Sequence, residues 1–446
     1  MVTASGTNGA LPVPAASGAQ RSAEEHRIMS KVFRRLLPVL MICYFIAFLD
    51  RVNIGFAAVM LNRDLGFSAS VYGFGAGIFF ISYFLFEVPS NLALHRFGAR
   101  TWIARIMLTW GVIAGATAFV VGQNSFYVVR FLLGAAEAGF FPGVVYYITL
   151  WLPSEYRARM IGIFYVASPV AIALGAVISA PLLMLDGVFG IPGWQWLFVA
   201  EAIPAIVMSV VFFLVMKDTP KDAGWLTADE KALLLARVEE DRRLNTPPAR
   251  LTLGQVFVHP GIVWLSAVYF GMNLAGVGLA MFLPQIVAGF GAGVGWTGVV
   301  TSIPYFCAAV ALPFWGRYSD RHAGSRQGHC ATGAAALAIM LSLCVFTHSP
   351  WLMMLFICVA AVGVYAFATP FFTLSSTLLS GSAAAAGLAV INSVGNLSGF
   401  AGPFVMGWIR DSTGSFTIGL LAIAIGPAFA AIAMLTLRRE QLQRKV

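Results

Sequence analysis

Long apolar stretches alternate with short polar gaps along most of the chain, and this alternation restricts the fold more than any other feature of the sequence. A helix needs about 20 apolar residues to cross the hydrocarbon core of a bilayer. Within that core, only helices and closed barrels satisfy every backbone hydrogen bond. The sequence therefore predicts an all-α membrane protein with twelve transmembrane helices. The predicted spans are 36–56, 71–93, 101–121, 126–150, 159–184, 195–216, 258–284, 296–316, 331–347, 351–378, 385–409 and 415–437.

Charge is scarce in this chain and unevenly placed. Charged residues make up 11% of the 446 residues, whereas soluble domains carry about 25%. The net charge is +9, but the basic residues lie in the short gaps, so a lipid bilayer and not a nucleic acid is the expected partner. Basic loops stay on the cytoplasmic side, which predicts a multi-pass protein of the inner (plasma) membrane with both termini in the cytoplasm. The residues that set this orientation are Arg34, Arg35, His95, Arg96, Arg100, Arg157, Arg159, Arg317, Arg321, Arg326, Arg438, Arg439, Arg444 and Lys445.

The predicted spans divide into two halves of six, separated by the one long polar interruption. In this interruption, Thr227 and Glu230 have the spacing of a capping box that begins an amphipathic helix. Two such halves are typical of a transporter that binds its substrate between them near the membrane midplane. The predicted segments are a disordered tail (1–30), an N-terminal half (31–216), a cytoplasmic linker (217–257), a C-terminal half (258–438) and a short tail (439–446).

Two charges stand side by side in the first predicted span, at Asp50 and Arg51. Insertion into lipid costs about 2.5–3.5 kcal/mol for each such charge at a helix centre. A pair like this is expected to face protein or a water-filled cavity, which makes it a candidate functional site. The alternative is a salt bridge that only holds helices together.

The fourth predicted span carries a second pair, Arg130 and Glu137. Seven residues are about two helical turns, so both side chains leave the same face about 10 Å apart. Small residues such as Gly134 surround them and permit close approach of a neighbouring helix. We expect this helix and the first to meet across a shared polar cavity. Both side chains could instead form bridges to neighbouring helices without contacting a ligand.

The charges of these four residues predict a transport mechanism. Arg51 and Arg130 balance Asp50 and Glu137, so an incoming carboxylate would leave one uncompensated negative charge in a medium where this costs several kcal/mol. Protonation of Asp50 or Glu137 restores neutrality. Because the arginine fork suits a carboxylate, the sequence predicts proton-coupled symport of an organic anion.

Uncharged polar residues within the spans are weaker candidates for substrate contacts. The main ones are Tyr83, Ser168, Asn392 and Asn396. Such side chains also join helices without contacting a ligand. Glu87 is interpreted as structural or gating, and Glu201 has no assigned role. The size of the pocket is expected to depend on Phe48, Tyr83, Phe371 and Phe372.

Several motifs resemble the major facilitator superfamily and, within it, the anion:cation symporters that import organic acids. The loop from Gly316 to Arg321, which includes Asp320, is similar to the superfamily signature. Its first-half counterpart departs from that pattern, since Asn91 replaces a glycine and His95 an aspartate. The stretches that carry the symporter resemblance are LDRVNIGFA, FEVPSNLALHRFGAR, RFLLGAAEAGFFPG, GWQWLF and GLAVINSVGNLSGFAGP.

The resemblance implies a major facilitator fold and roles for individual residues. It implies that Arg51 and Arg130 bind substrate, that Asp50 and Glu137 couple protons, and that the loop from Gly316 to Arg321 has a gating or structural role. The G-P-x-x-G-G motif of drug/proton antiporters is absent from the fifth span, which disfavours drug efflux.

We therefore expect a secondary active transporter that imports a small organic carboxylate by proton symport with alternating access. A hydroxy dicarboxylate such as tartrate and an aromatic acid both remain open as substrates. An exporter or exchanger of organic anions, or a sensor that binds the acid without transport, are the alternatives. The sequence has no catalytic motif and no metal-ligand spacing, so we expect no enzyme activity, no cofactor, no metal and a functional monomer.

Overall fold

The structure is a computed structural model that describes residues 18–244, 258–291, 293–378 and 382–437. The side chains of residues 18–23, 158, 320, 323 and 376–386 lie outside that description. Of the described residues, twelve helices are long and apolar enough to cross a membrane. All twelve predicted spans are thus confirmed. The helices are Glu24–Leu65, Ala69–Phe97, Ala99–Phe119, Gln123–Trp151, Ser154–Leu183, Gly193–Val215, Pro260–Ala288, Val294–Ser319, Arg326–Phe346, Pro350–Ser375, Gly387–Thr413 and Phe416–Thr436.

The fourth membrane helix is broken immediately after Glu137. One piece is Gln123–Glu137 and the other is Phe140–Trp151. Between them, Ala138 is extended (ψ 133°) and Gly139 has a φ of 85°. A side chain is strained in this left-handed region and glycine is not, so Gly139 permits the chain to turn at this depth.

The first helix begins earlier than the sequence predicts. Its helical backbone extends back to Gly18, within the predicted tail. Ile28 and Met29 are buried there, and burial of apolar side chains favours an ordered helix over a solvated tail. Residues 1–17 and 438–446 lie outside the described part of the chain.

The linker contains the predicted surface helix, Ala228–Leu244. Its capping box is confirmed: the Glu230 backbone N–H donates to Thr227 Oγ1 (3.3 Å), and the Thr227 N–H donates to Glu230 Oε2 (3.1 Å). Residues 245–257 of the linker lie outside the described part. The linker helix packs against the start of the first and fifth helices. The ion pairs that join them include Lys31–Glu230, Arg237–Glu25 (3.2 Å) and Arg157–Asp241 (3.0 Å).

We call the side of the molecule that carries the linker helix the linker face, and the other side the opposite face. The two halves approach very closely toward the opposite face. A β-carbon added to Gly73 would lie 2.3 Å from the Pro403 carbonyl oxygen, and one added to Gly407 would lie 2.1 Å from the Ala69 carbonyl oxygen. Glycine is needed here because another half's backbone occupies the space of a side chain.

A carboxylate adds to this contact between the halves. Asp411, at the end of the eleventh helix, accepts hydrogen bonds from the backbone N–H groups of Ala69 (3.0 Å) and Ser70 (2.7 Å). These groups begin the second helix and have no acceptor within that helix. The C-terminal half therefore supplies a cap to a helix of the N-terminal half.

Candidate functional site

A cavity of about 180 Å³ lies between the two halves. Among the described residues that line it, Arg51 is the one with a charged side chain. Four of the predicted neutral contacts also line it, two from each half: Tyr83, Ser168, Asn392 and Asn396. The cavity therefore combines a single guanidinium with hydroxyl and amide groups.

Arg51 forms an ion pair with Glu137 at the cavity wall. Its Nε lies 2.6 Å and its Nη2 2.5 Å from the same carboxylate oxygen, Oε1. Glu137 is buried, with 1% of its surface exposed, whereas the side chain of Arg51 is 17% exposed. The Nε contact is a charge-assisted hydrogen bond, the strongest kind that side chains form. The side chain of Arg51 is thus accessible from the cavity, and the buried Glu137 carboxylate fixes its position.

Aromatic rings fix the position of the Arg51 guanidinium. Its Cζ lies 5.0 Å from the ring centre of Tyr83, 5.4 Å from that of Phe48 and 5.7 Å from that of Phe79. A cation over an aromatic ring is attracted by about 0.5–2 kcal/mol. The rings thus help to hold the guanidinium at the cavity wall, in addition to its ion pair with Glu137.

Arg130 is placed differently from Arg51. It is 1% exposed and is not among the residues that line the cavity. Its Nη2 lies 3.5 Å from the Ala76 carbonyl oxygen, its Nε has no hydrogen-bond partner in the described part, and its Cζ lies 5.1 Å from the Phe79 ring centre. Phe79 thus lies beside both guanidinium groups, so Arg130 is a cation close behind the cavity wall.

Asp50 points away from the cavity, although it is the neighbour of Arg51 in sequence. Successive helical residues leave the axis about 100° apart, and Asp50 faces the third helix. There its Oδ2 accepts a hydrogen bond of 2.7 Å from Trp110 Nε1, while its Oδ1 has no partner in the described part. The structure thus brings Arg51 and Glu137 together and places Asp50 behind them.

A second cross-half contact lies on the linker side of the cavity. Ser393 Oγ, from the eleventh helix, donates a hydrogen bond of 2.7 Å to Glu87 Oε2 in the second helix. Glu87 is buried. This placement agrees with the interpretation of Glu87 as structural or gating.

The signature loop lies at the linker-face end of the eighth helix. A β-carbon at Gly316 would meet no atom within 4 Å. The helical backbone continues past the membrane span to Arg321, which is exposed. The side chain of Asp320 lies outside the described residues. The gating role of this loop stays a prediction.

Several cavity residues carry no signal that sequence analysis recognised. Tyr165, Tyr305 and Tyr365 line the cavity, but within apolar spans they have the pattern of ordinary core aromatics. Trp110 was also missed, although a buried indole N–H needs an acceptor. Phe48 and Tyr83 line the cavity as expected. Phe371 and Phe372 do not: they pack against the Tyr269 ring, behind the cavity wall.

Sequence comparison shows which family this chain belongs to. The profile described as Major Facilitator Superfamily matches residues 40–299 and 286–446. The chain belongs to the major facilitator superfamily. As a member of this superfamily it is a transporter and not an enzyme, and its twelve helices make it a multi-pass membrane protein.

Relatives of this superfamily member span nearly its whole length. A protein of Agrobacterium vitis named "Putative tartrate transporter" is 44% identical over 93% of this chain and 92% of its own. The "Inner membrane transport protein RhmT" of Escherichia coli (strain K12) is 39% identical over 91% of this chain and 94% of its own. The "Quinolone resistance transporter" of Acinetobacter baumannii is 38% identical over 92% of this chain and 94% of its own.

Solved structures share the fold of this superfamily member at low sequence identity. A bacterial homologue of the human lysosomal transporter Spinster, in an inward-facing and occupied conformation, matches with a TM-score of 0.73, 17% identity and coverage of 90% of this chain and 95% of that one. The D-xylose–proton symporter matches with a TM-score of 0.73, 15% identity and coverage of 91% and 97%. These similarities establish the two-half helical fold.

Proposed function

We propose that this transporter imports a small organic carboxylate, either a hydroxy dicarboxylate such as tartrate or an aromatic acid, by proton symport with alternating access. The linker face is then the cytoplasmic face of the inner membrane, and the monomer is the working unit. The names of the Agrobacterium vitis and Escherichia coli relatives support an organic-acid substrate and an inner-membrane location, respectively.

The observation that carries the proposal is the Arg51–Glu137 ion pair beside the cavity. A substrate carboxylate needs the Arg51 guanidinium, which Glu137 already occupies. When the substrate takes this guanidinium, Glu137 becomes a buried carboxylate without its partner, which is strongly unfavourable. Uptake of a proton by Glu137 removes that cost. Substrate and proton therefore favour each other's binding, and both leave when the ion pair forms again.

Asp50 and Arg130 complete the proposed charge balance from behind the cavity. Each lies within electrostatic reach of Glu137 and of the other. Arg130 stabilises negative charge in this region, and Asp50 is the second acid that can take up a proton. Tyr83, Ser168, Asn392 and Asn396 are proposed to orient the substrate through its hydroxyl or carboxyl oxygens.

Alternating access follows in the proposal from the way the halves meet. Close backbone contacts between the halves seal the opposite face at Gly73 and Gly407, so this conformation admits substrate from the linker face. Rocking of the halves would open the opposite face and close the linker face, with the Glu87–Ser393 bond on the closing side. The loop of Gly316, Asp320 and Arg321 is proposed to limit that motion.

Uptake by reconstituted protein tests the proposal. Full-length protein in proteoliposomes should accumulate L-tartrate, or an aromatic acid from a panel, when the outside is acidic. Uptake that does not respond to the pH gradient contradicts proton symport, and binding without any flux indicates a sensor.

Glu137→Gln tests the role of the ion pair. The variant keeps the shape of the side chain but cannot release a proton, so counterflow should persist while accumulation driven by the pH gradient is lost. Glu87→Gln is the matched control, because it removes another buried acid whose partner, Ser393, is neutral. It should change counterflow and accumulation in the same proportion. Normal accumulation by Glu137→Gln would move the coupling to another acid.

One relative favours a second candidate function, export of an organic anion. The Acinetobacter baumannii protein is named for drug resistance and is 38% identical. An exporter would lose substrate from preloaded vesicles faster when protons flow inward, whereas a symporter would not. The direction of that response separates the two candidates.

A further inference from the structure

The two halves of the protein contribute very different groups to the cavity wall. The N-terminal half contributes Arg51, the one charged side chain among the described residues that line the cavity. The C-terminal half contributes neutral groups there. Its polar lining residues are Asn273, Asn392, Asn396, Tyr269, Tyr305 and Tyr365. A ligand that binds Arg51 and extends toward the C-terminal half therefore leaves a cation and meets uncharged groups.

The charged groups behind the wall do not change this count. Arg130 does not line the cavity, and its Cζ lies 5.1 Å from the ring centre of Phe79. Asp50 does not line it either, since its carboxylate accepts a hydrogen bond from Trp110 in the third helix. Protonation of Asp50 would thus leave the cavity wall itself unaltered. A second carboxylate on the substrate would have no cation to contact in the described part of the cavity, and a charge removed from water without a partner is costly.

The amide groups of the C-terminal half suit a neutral polar group instead. Asn392 and Asn396 are four residues apart and therefore lie on one face of the eleventh helix, and Asn273 lines the cavity from the seventh helix. All three are half-buried. A side-chain amide offers an acceptor oxygen as well as donor N–H groups, whereas an ionised carboxylate has no hydrogen to donate. A hydroxyl or amide group on the substrate can use both functions.

Aromatic rings make up much of the remaining wall. Ten of the described lining residues are aromatic, six from the N-terminal half and four from the C-terminal half. Other rings support them: the ring centre of Tyr44 lies 4.9 Å from that of Phe48, and Tyr269 stacks on Phe371 at 5.5 Å. Aromatic pairs attract each other beyond the effect of buried area alone. A flat aromatic ring between the halves would gain such contacts from both walls.

We propose that the substrate is a compact aromatic monocarboxylate. Its one carboxylate binds Arg51, its ring lies among the aromatic side chains, and a neutral polar substituent binds the amides of the C-terminal half. The cavity of about 180 Å³ is smaller than the roughly 300–1,000 Å³ of sites for drug-sized ligands, which favours a single ring. This inference rests on the proposed function, because it takes the cavity as the substrate site. L-Tartrate binds through one carboxylate and is the weaker ligand.

Calorimetric titration of the full-length protein in lipid nanodiscs near neutral pH tests the substrate class with matched acids. Terephthalate and 4-carbamoylbenzoate have the same ring and similar size but differ by one negative charge. The dissociation constant of terephthalate should be higher by about tenfold or more, because its second carboxylate loses water and gains no cation. Cyclohexanecarboxylate should bind about twofold to tenfold more weakly than benzoate, since it lacks the aromatic ring.

Asn273→Lys tests whether missing charge in the C-terminal half causes this preference. The variant adds a cation to the wall opposite Arg51, so the dissociation constants of terephthalate and 4-carbamoylbenzoate should become equal or reverse their order. Asn273→Gln is the matched control, because it keeps a neutral amide and should keep the order found in the wild type. Asn396→Lys repeats the test from the eleventh helix, and the comparison of acids in the wild type needs neither variant to fold.

Binding of terephthalate as tight as that of 4-carbamoylbenzoate in the wild type overturns the inference, and so does binding of L-tartrate tighter than that of benzoate. Equal binding of cyclohexanecarboxylate and benzoate overturns its aromatic part. Uptake in proteoliposomes separates these failures from failure of the proposed function. If L-tartrate is preferred and its uptake follows the pH gradient, the inference fails alone. If an aromatic monocarboxylate is preferred but its uptake ignores the gradient, proton symport fails and the substrate class stands.

Discussion

Replacement of Arg51 by lysine tests whether this guanidinium is the substrate's anchor. In the empty site, Nε and Nη2 both converge on Oε1 of Glu137, so the fork is not used on two oxygens. A substrate carboxylate that offers one oxygen to each of these nitrogens makes two charge-assisted hydrogen bonds, whereas Glu137 makes one, from Nε. Such a bond contributes about 1.5–3 kcal/mol, and lysine cannot provide the paired geometry.

Arg51→Lys should therefore raise the half-saturating concentration of L-tartrate by about tenfold to a hundredfold, since each 1.4 kcal/mol is a factor of about ten. The assay is counterflow in proteoliposomes at several tartrate concentrations, which measures binding without dependence on the pH gradient. Lysine retains the positive charge and its attraction to the rings of Phe48 and Tyr83, so the change isolates the loss of the fork.

Arg130→Lys is the matched comparison within the same half. Arg130 does not line the cavity, and its one hydrogen bond in the described part is a long one, to Ala76. The half-saturating concentration should therefore change by less than about threefold. An unchanged value in Arg51→Lys together with a tenfold rise in Arg130→Lys would refute the assignment and make Arg130 the anchor.

Two further predictions concern the contact between the halves and the docking of the linker helix. Gly407→Ala places a β-carbon against the Ala69 carbonyl oxygen, so the opposite face should open more often. Labelling of a Ser70→Cys reporter by an impermeant maleimide should then rise several-fold. The control is Gly162→Ala, whose β-carbon meets no atom within 4 Å and which should leave the labelling rate unchanged. The hydrogen bond from Lys31 holds the pKa of Glu230 below its usual range, so this ion pair stabilises docking above the ordinary glutamate pKa of about 4.3, and the contribution is lost as pH falls through the lowered value. The protection of the linker-helix amides, taken as the observed exchange rate relative to the intrinsic rate at the same pH, should fall on that acidification in the wild type, and in Glu230→Gln it should already be low at neutral pH.

The number of spans and the linker helix could be predicted because they depend on local composition. Apolar length alone identified the twelve helices, and the spacing of Thr227 and Glu230 predicted a cap that the structure contains. The break after Glu137 was not predicted. Gly139 stands among small residues that equally suit close helix packing, and its left-handed backbone leaves no separate trace in the sequence.

The candidate site was predictable as a set of charges but not as a geometry. The free-energy cost of placing a charge in lipid identified Asp50, Arg51, Arg130 and Glu137 as candidates. That cost does not predict the direction in which each side chain points. The pairing of Arg51 with Glu137 and the direction of Asp50 depend on how separate helices are rotated about their axes. Glu201 carried the same signal, and its hydrogen bond from Ser179 depends on the packing of the fifth and sixth helices.

The cap that Asp411 gives to the second helix makes that terminus a natural reporter of transport state. When the halves separate at the opposite face, the amides of Ala69 and Ser70 lose the carboxylate and must be solvated by water instead. Their hydrogen–deuterium exchange rates would then measure directly, without an attached probe, what fraction of molecules is open at the opposite face.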